Sequence, residues 1–301
     1  MGRFLNPDNS SFQDVINSEI YVDKTGLLDY TNSVINTTSK FICNSRPRRF
    51  GKSMTADMLS AYYSRGCDSK ELFKNYEIST VSSYEKNLNK YDVIHFDVQW
   101  CMMDAKDTDH VVDYINEGIL QELREAYGQI IPDAVRTAYG AMSYIKAATG
   151  NKFVVIIDEW DVLIRDEAQN HTLQEAYIDF LRGMFKGTEP SRYIALAYLT
   201  GILPIKKYGT HSALNMFDEF SMIAPGPLAC YVGFTEQEVK KLCEQYGMDM
   251  EEVKNWYDGY SFDGVPSVYS PRSVVNSMRF QKISNYWNQT ETFEALQMYI
   301  D

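Results

Sequence analysis

Three consecutive residues, Gly51, Lys52 and Ser53, have the side chains that a phosphate-binding loop uses. They follow a short apolar run at 41–43 and precede a segment, beginning near Met54, in which apolar residues recur at helical spacing. In such a loop, backbone N–H groups and the positive end of a helix surround the phosphates, a lysine reaches the terminal phosphates and a hydroxyl holds Mg²⁺. The order strand, loop and helix therefore predicts a phosphate loop.

The rest of this loop is basic, and four of the seven residues at 46–52 are arginine or lysine. The glycine that the general pattern places five residues before Gly51 is Arg46 in this chain. The predicted nucleotide contacts come from Arg48, Arg49, Phe50, Gly51, Lys52, Ser53 and Met54. The alternatives are a solvated basic turn and a nucleic-acid patch formed by Arg46, Arg48, Arg49 and Lys52.

A pair of adjacent carboxylates, Asp158 and Glu159, ends the apolar run at 153–157. Ligands of open α/β sheets collect at the carboxyl ends of the strands. In phosphoryl transfer, one carboxylate at this place holds the magnesium shell and a neighbouring one orients and deprotonates the attacking water. We therefore expect Ser53 and Asp158 to position Mg²⁺ and Glu159 to polarise the water. Taken alone, two acids at a strand end are also typical of a turn or a helix cap.

Four apolar runs are predicted to be buried strands, and they lie near residue 41, near residue 93, at 152–157 and at 193–199. Helical patterns separate them, which predicts an α/β fold with a parallel sheet covered on both faces. After about residue 210 the sequence predicts short helices, with a capping box at Thr235 and Glu238 and a helix start at Ser270 and Pro271. We expect a P-loop core at 1–210 and a helical lid subdomain at 211–301.

The composition excludes several classes of protein. With 301 residues, 45% of them hydrophobic, the chain can bury a large core. Its formal net charge of -12 argues against a general binder of nucleic acids, whose affinity depends on a basic face. The five cysteines show neither the spacing of a zinc site nor an even number for disulfides. The sequence contains no signal peptide and no membrane-spanning stretch, so we expect a soluble cytoplasmic protein.

Seven motifs make the chain resemble a known family, the bacterial AAA-ATPase-like proteins that are often fused to a PD-(D/E)XK nuclease-like domain. The motifs are YVDKT at 21–25, SRPRRFGKSM at 45–54, HFDV at 95–98, VVIIDEWDVL at 154–163, LTGILPI at 199–205, GFTEQEV at 233–239 and WYDGYSF at 256–262. Together they cover nearly the whole chain. An arginine in place of the first loop glycine is itself a feature of this family.

The resemblance implies a P-loop core with strand order 5-1-4-3-2, a helical lid, and binding of ATP with Mg²⁺. It also implies a nuclease-like domain downstream of Asp301 in the full-length protein. Thr200 takes the place of a polar residue that senses the terminal phosphate; otherwise it is a strand-end threonine. The segment that contains Tyr21, Asp23, Lys24 and Thr25 is expected near the adenine, although packing against the first strand explains Tyr21 equally well.

Several other residues are weaker candidates. Arg182 and Arg192 are possible arginine fingers, with a surface ion pair as the alternative for each. The aromatic motif containing Trp256, Tyr257 and Tyr260 is expected to be core of the C-terminal subdomain instead of a base-stacking platform. The histidines, which are His95, His110, His171 and His211, have no metal-ligand spacing, so no metal other than magnesium is expected. No nuclease site is predicted in this chain.

The resulting hypothesis is an ATPase in which Lys52, Glu159 and Thr200 act in catalysis. Two other functions stay open from the sequence. One is an ATP-bound regulatory switch with negligible turnover, because hydrolysis also needs an arginine finger, which another subunit of a homo-oligomer could supply. The other is a nucleic-acid-binding module built on the basic loop.

Overall fold

The computed structural model describes residues 2–205, 214–262 and 265–286. The helices in these parts are α1 Ser10–Ile16, α2 Gly26–Val34, α3 Lys52–Tyr63, α4 Lys70–Phe73, α5 Tyr84–Asn87, α6 Val98–Asp104, α7 Val111–Tyr127, α8 Ala138–Thr149, α9 Val162–Asp166, α10 His171–Phe185, α11 Thr188–Tyr193, α12 Glu236–Tyr246, α13 Met250–Tyr257 and α14 Pro271–Phe280. The strands are β1 Phe41–Ser45, β2 Asp92–Asp97, β3 Phe153–Asp158, β4 Ile194–Gly201, β5 Asp218–Phe220, β6 Phe234–Thr235, β7 Asp258–Phe262 and β8 Val265–Tyr269.

A five-stranded parallel sheet forms the centre of the molecule, with its strands in the order β2-β3-β4-β1-β5. Read from the other edge, this is the order 5-1-4-3-2 that the resemblance implies. The four apolar runs predicted as strands are β1 to β4, so those predictions are confirmed. The fold class is confirmed as well: it is an α/β fold with a parallel sheet that has helices on both faces.

Helices cover both faces of the sheet because successive strand residues point to opposite sides. In β3, Val154 and Ile156 pack with helices α1 to α5 on one face. Val155 and Ile157 pack with helices α6 to α11 on the other face. Strands that are buried on both faces need continuous apolar sequence, and this is why the runs were recognisable as strands.

The fifth strand lies beyond the predicted core boundary at residue 210. Strand β5 pairs in parallel with β1, and its register places Cys43 opposite Glu219. The parallel sheet thus takes an edge strand from the part of the chain assigned to the lid. The division at residue 210 stays a prediction.

The C-terminal unit, defined here as residues 234–286, is not purely helical. Helices α12, α13 and α14 pack with a three-stranded antiparallel sheet in the order β6-β8-β7. The predicted capping box is present, since the Thr235 hydroxyl accepts from Glu238 N and the Glu238 carboxylate accepts from Thr235 N. Helix α14 begins at Pro271 as predicted, although Ser270 makes no side-chain capping bond. The motif at 256–262 was expected in the core of a helical subdomain, but β7 occupies its last five residues.

A segment before α2 attaches the C-terminal unit to the rest of the molecule. Lys24 Nζ lies 2.6 Å from Glu238 Oε2 and donates a hydrogen bond to Cys230 O at 2.7 Å. Ile20 packs in the apolar core of the C-terminal unit. The motifs YVDKT and GFTEQEV therefore meet in an ion pair. Among the described residues, none of the helices is long and apolar enough to span a bilayer.

Candidate functional site

The loop at 46–51 connects β1 to α3. It ends at Gly51, which caps α3 with a left-handed backbone, φ 87° and ψ 22°. A side chain at this φ would be strained, which explains the requirement for glycine. Helix α3 begins at Lys52, two residues before the predicted start, so the N–H groups of its first turn face the loop.

Lys52 is buried, with 4% of its side chain exposed. Its ammonium donates to Pro47 O at 3.2 Å and lies 3.6 Å from Glu159 Oε1. A buried ammonium is costly unless it is paired, and both of these contacts are long. The lysine is thus held beside the loop by weak partners that an anionic ligand can replace.

Asp158 and Glu159 lie at the carboxyl end of β3, as predicted. Asp158 is buried and accepts a hydrogen bond from Glu159 N at 2.9 Å. Burial raises the pKa of Asp158 to about 7, and the nearby carboxylates of Glu159 and Asp97 add to this, while the Ser53 side chain and Lys52 act in the opposite direction. Ser53 therefore lies near enough to Asp158 to affect its pKa.

Two further carboxylates, which the sequence analysis did not assign, lie near this pair. Burial and the carboxylate of Asp97 raise the pKa of Asp57 to about 6. Burial also raises the pKa of Asp97, with a contribution from Glu159. The signals were present in the sequence: Asp57 lies one helical turn after Ser53, and Asp97 ends the strand in the motif HFDV.

The donor set fits a hard divalent cation. The Ser53 hydroxyl and the Asp158 carboxylate offer oxygen ligands, which Mg²⁺ prefers. Four carboxylates interact here, and burial, with the neighbouring carboxylates, raises the pKa of three of them. In the described parts of the chain, no group of three or more His, Cys, Asp or Glu residues could hold a metal on its own. This is compatible with Mg²⁺, which usually takes one or two protein ligands and completes its shell with water and substrate phosphates.

A cavity of about 790 Å³ opens over the loop. All seven residues predicted to contact the nucleotide line it, and so does Glu159. Its other walls come from the segment at 18–22 and from α14, which contributes Arg272, Val275 and Arg279. The site therefore lies between the sheet edge and the C-terminal unit.

Arginines give this cavity a positive wall. Arg48 and Arg49 are exposed in the loop, and Arg272 faces the same cavity from the first turn of α14. Burial, followed by the neighbouring guanidiniums of Arg272 and Arg48, lowers the pKa of Arg49. Like charges crowd together here although the whole chain is acidic, which favours an anionic ligand. Sequence reasoning missed Arg272, because nothing in its spacing places it opposite the loop.

The alternative prediction of an exposed patch of four basic residues is wrong. Arg46 is fully buried, and it donates to Ser45 O and Phe220 O, both at 2.9 Å. It thereby joins the end of β1 to the end of β5. Lys52 is buried as well, so only Arg48 and Arg49 of the four face solvent. The residue pattern could not show this, because burial of Arg46 depends on β5, and no apolar run indicated where in the sequence the fifth strand lies.

Phe50 is the apolar residue of the loop, and it is buried against the second half of the chain. It packs with Ala229, Val232 and Val268. A Cβ on Gly233, whose φ is 99°, would lie 3.2 Å from the Phe50 ring, so glycine permits this close approach. The loop is therefore in direct contact with the residues that lead into the C-terminal unit.

Thr200 lies at the end of β4 but not in the cavity wall. It is fully buried, and its hydroxyl has no hydrogen-bond partner within the described residues. Its carbonyl accepts from Trp160 N at 3.0 Å, which joins the ends of β3 and β4. The role of Thr200 as a phosphate sensor stays a prediction.

The weaker candidates lie in varied positions. Arg182 and Arg192 form exposed ion pairs with Asp179 and Glu189, and neither arginine lines the cavity. Tyr21 lines the cavity and also packs edge-on against Phe12 and Tyr76.

In the aromatic motif, Tyr257 is buried, whereas Trp256 is 45% exposed. Burial lowers the pKa of His95 to about 4, so this residue is a neutral part of the sheet. His211 and the side chain of Tyr260 lie outside the described residues.

Comparisons with known proteins give the family of the chain and a relative. The family model for predicted AAA-ATPases matches residues 9–210. An uncharacterized protein from the vnfD 5′ region of Azotobacter chroococcum mcd 1 is 27% identical over 285 residues, which are 90% of this chain and 51% of that protein. The chain thus spans about half the length of this relative.

A solved structure, that of the Aeropyrum pernix ORC2 protein in ADPNP-ADP complexes, is also similar. The similarity covers 96% of this chain and 76% of that chain, with 9% sequence identity and a TM-score of 0.35. A TM-score this low supports no statement about function.

Proposed function

The chain belongs to the family of predicted AAA-ATPases, and we propose that it binds ATP with Mg²⁺ in the cavity over the loop at 46–51 and hydrolyses it. One observation carries the proposal: Lys52, Ser53 and Glu159 line one cavity with an arginine-rich wall at the start of α3, and the buried carboxylate of Asp158 lies directly behind Glu159 in the chain. The hydrolysis is expected to drive or gate a conformational change.

The loop and the first turn of α3 would bind the phosphates. N–H groups at a helix start carry partial positive charge and have no partner within the helix. Lys52 would exchange its two long contacts for the β and γ phosphates, and Arg48 and Arg49 would add charge from the cavity wall.

Ser53 and Asp158 would hold Mg²⁺, which supplies charge neutralisation for the phosphate oxygens. The Ser53 side chain lies near enough to Asp158 to lower the pKa of that carboxyl, which supports a shared ion site. Binding of a cation would favour the ionised form of Asp158, whose pKa burial raises to about 7. Asp57 and Asp97 are suited to accept hydrogen bonds from water in this region.

Glu159 would orient the attacking water and accept its proton. It lines the cavity next to Lys52, where the terminal phosphate is expected. Its backbone has φ 50°, a left-handed conformation that is uncommon for a residue with a side chain and that is often found at functional sites.

The adenine would lie between the segment at 18–22 and α14. This part of the cavity is lined by apolar side chains, among them Ile20, Val22, Phe234 and Val275. An apolar cleft with a charged opposite end suits a nucleotide, which has a flat base and an anionic tail. The choice of ATP over GTP rests on the family.

A regulatory switch is the second candidate, and one observation favours it. Phe50 packs against Val232 and Val268, so a movement of the loop on nucleotide binding would be transmitted directly to the C-terminal unit. Such a protein needs binding but no turnover. A homo-oligomer that supplies an arginine finger, and a nuclease-like domain downstream, stay expectations from the resemblance.

Phosphate release separates the two candidates. We expect wild type to release phosphate from ATP with Mg²⁺, and E159Q to bind ATP equally well but to release phosphate about a hundredfold more slowly, because it lacks the base. The matched control is E175Q, whose glutamate is exposed on α10 and absent from the cavity wall. Tight ATP binding by wild type without any phosphate release would favour the switch.

A further inference from the structure

Glu159 is held by two cations from different elements. Its Oε1 lies 3.6 Å from Lys52 Nζ, and its Oε2 lies 3.4 Å from Nη2 of Arg165. Lys52 belongs to the phosphate loop helix α3, whereas Arg165 is on α9, immediately after the carboxylate pair. The carboxylate proposed to activate water is therefore fixed from both sides.

Arg165 is built into the protein and is not a surface residue. Only 6% of its side chain is exposed, and its Nη1 is buried without a hydrogen-bond partner within the described residues. Its Nε also lies 3.3 Å from Asp166 Oδ1. Burial of a guanidinium without full pairing is unfavourable. A position that keeps such a group beside Glu159 suggests that the contact serves the site more than the stability of the fold.

The helix that carries Arg165 is anchored to the end of β4. Asp161, the residue before α9, is fully buried, and its Oδ2 accepts hydrogen bonds from Ile202 N at 3.1 Å and Leu203 N at 2.7 Å. Arg165 N in turn donates to Asp161 O at 2.9 Å. The guanidinium thus projects from a base whose position is fixed by the sheet.

Nucleotide binding would change the partners of Glu159. In the proposed function, Lys52 turns to the phosphates, and its contact with Glu159 weakens because the phosphates compete for the ammonium. Arg165 does not line the cavity, so phosphates do not compete for it in the same way. It is the cation that continues to hold the carboxylate.

We infer that Arg165 is a positioning residue for hydrolysis, which keeps the Glu159 carboxylate oriented toward the water after Lys52 has moved to the phosphates. The inference rests on the proposed function. Arg165 acts through Glu159 and does not contact the substrate. An arginine is suited to this task because its planar guanidinium stays charged and directs its N–H groups rigidly; here one of them, on Nη2, points to Glu159 while Nε lies beside Asp166.

The test compares R165Q and R165K with wild type for ATP turnover and for ATP affinity with Mg²⁺. We expect R165Q to lower kcat about tenfold or more while the Kd for ATP changes less than about threefold, because only the orientation of the base is lost. R165K keeps the charge without the planar guanidinium and should give an intermediate kcat. The matched control is R136Q, whose arginine is exposed, does not line the cavity and has no role in the proposed site, so kcat should be unchanged.

A second measurement separates positioning from a general structural effect. If Arg165 acts through Glu159, R165Q adds nothing to the loss of kcat in an E159Q background, because groups that act as a unit are not additive. A merely structural role would lower kcat in both backgrounds and shift Kd. If R165Q does not fold, R165K is compared with wild type in the same way. A fall in kcat without a matching change in Kd then supports the positioning role.

The possible failures are distinguishable. If R165Q and R165K turn over ATP at the wild-type rate, the role of Arg165 is overturned and the proposed function stays in place. A wild type that binds ATP and releases no phosphate would overturn hydrolysis, and the positioning role with it. A wild type that binds no ATP would overturn the nucleotide site itself.

Discussion

Two aspartates at strand ends of the same sheet are equally buried and have opposite surroundings. Asp92 begins β2 and is 1% exposed, while Asp158 ends β3 and is 3% exposed. Asp92 accepts hydrogen bonds from Asn6 Nδ2 at 3.0 Å and Tyr127 Oη at 2.6 Å, and Arg65 Nη1 lies 3.4 Å away. The protein itself supplies its partners, including a cation.

Asp158 has fewer partners and more negative neighbours. It accepts a hydrogen bond from the Glu159 backbone, and the effect of its one nearby cation, Lys52, is outweighed by burial and by the carboxylates of Glu159 and Asp97. A buried carboxylate that the protein completes is part of the structure. A buried carboxylate whose negative neighbours and burial outweigh its cation marks the place where a cation from outside can bind. The following predictions test this distinction.

The largest contrast is expected in Mg²⁺-dependent ATP binding. D158N should weaken ATP binding in the presence of Mg²⁺ by about tenfold or more, because a ligand of the ion is lost. D92N should leave it unchanged, since Asp92 lies at the opposite end of the strands. Calorimetric titration of ATP with and without Mg²⁺ measures both variants, and equal losses in the two would remove the distinction.

The second contrast is in the free energy of unfolding without ligand. The expected change has opposite signs for substitutions at the two aspartates. D92A should lower the free energy of unfolding by about 3 kcal/mol, because it leaves Arg65 and two donors without their acceptor. D158N should raise it by on the order of 1 kcal/mol, because it removes an unfavourable buried charge. Urea unfolding at pH 8 in the presence of a chelator gives both values. A loss of stability in D158N would show that Asp158 is also a structural residue.

A third prediction concerns pH, through Asp57 in the same acidic group. Its pKa is about 6 in the folded protein and about 4 in an unfolded chain, so the folded state binds more protons between these values. Stability from this group is therefore present below about pH 4 and is lost as the pH rises through 6. D57N should be more stable than wild type by about 1 to 2 kcal/mol at pH 8 and no more stable at pH 4. The free energy of unfolding of both proteins is measured across this pH range. A difference between D57N and wild type that is the same at pH 4 and pH 8 would contradict the prediction.

The smallest effect is expected for Thr200, which is buried but does not line the cavity. T200V keeps the shape and removes a hydroxyl without a described partner, so stability should change by less than about 1 kcal/mol. If Thr200 senses the terminal phosphate, kcat should fall about threefold or more. An unchanged kcat would make Thr200 an ordinary strand residue.

The sequence predicted the fold well where the pattern is local. Strands β1 to β4 were recognisable because burial on both faces requires uninterrupted apolar residues, as at 153–157. The loop residues at 51–53 and the pair Asp158 and Glu159 were predicted from motif and position; Gly51, Lys52, Ser53 and Glu159 line one cavity, whereas Asp158 is buried beside it, and their roles stay predictions. The capping box at Thr235 was also local and is present.

The remaining features depend on contacts that no local pattern records. Strand β5 has only three residues and is paired to a strand far away in the chain, so it gave no apolar run. The antiparallel strands of the C-terminal unit are also short, and the aromatic motif at 256–262 suggested helical core. Arg165 and Arg272 gained their positions from the way that α9 and α14 pack, and Arg46 became buried through β5.

The most direct test of the nucleotide site is a calorimetric titration of ATP with Mg²⁺ into wild type and K52A. The matched control is K74A, which removes an exposed lysine that does not line the cavity. We predict saturable one-site binding by wild type and K74A, with K52A weaker by about tenfold to a hundredfold, because a charged hydrogen bond to phosphate is lost. Equal affinity in all three proteins, or no binding by wild type, would contradict the assignment of the loop at 46–51 as the phosphate site.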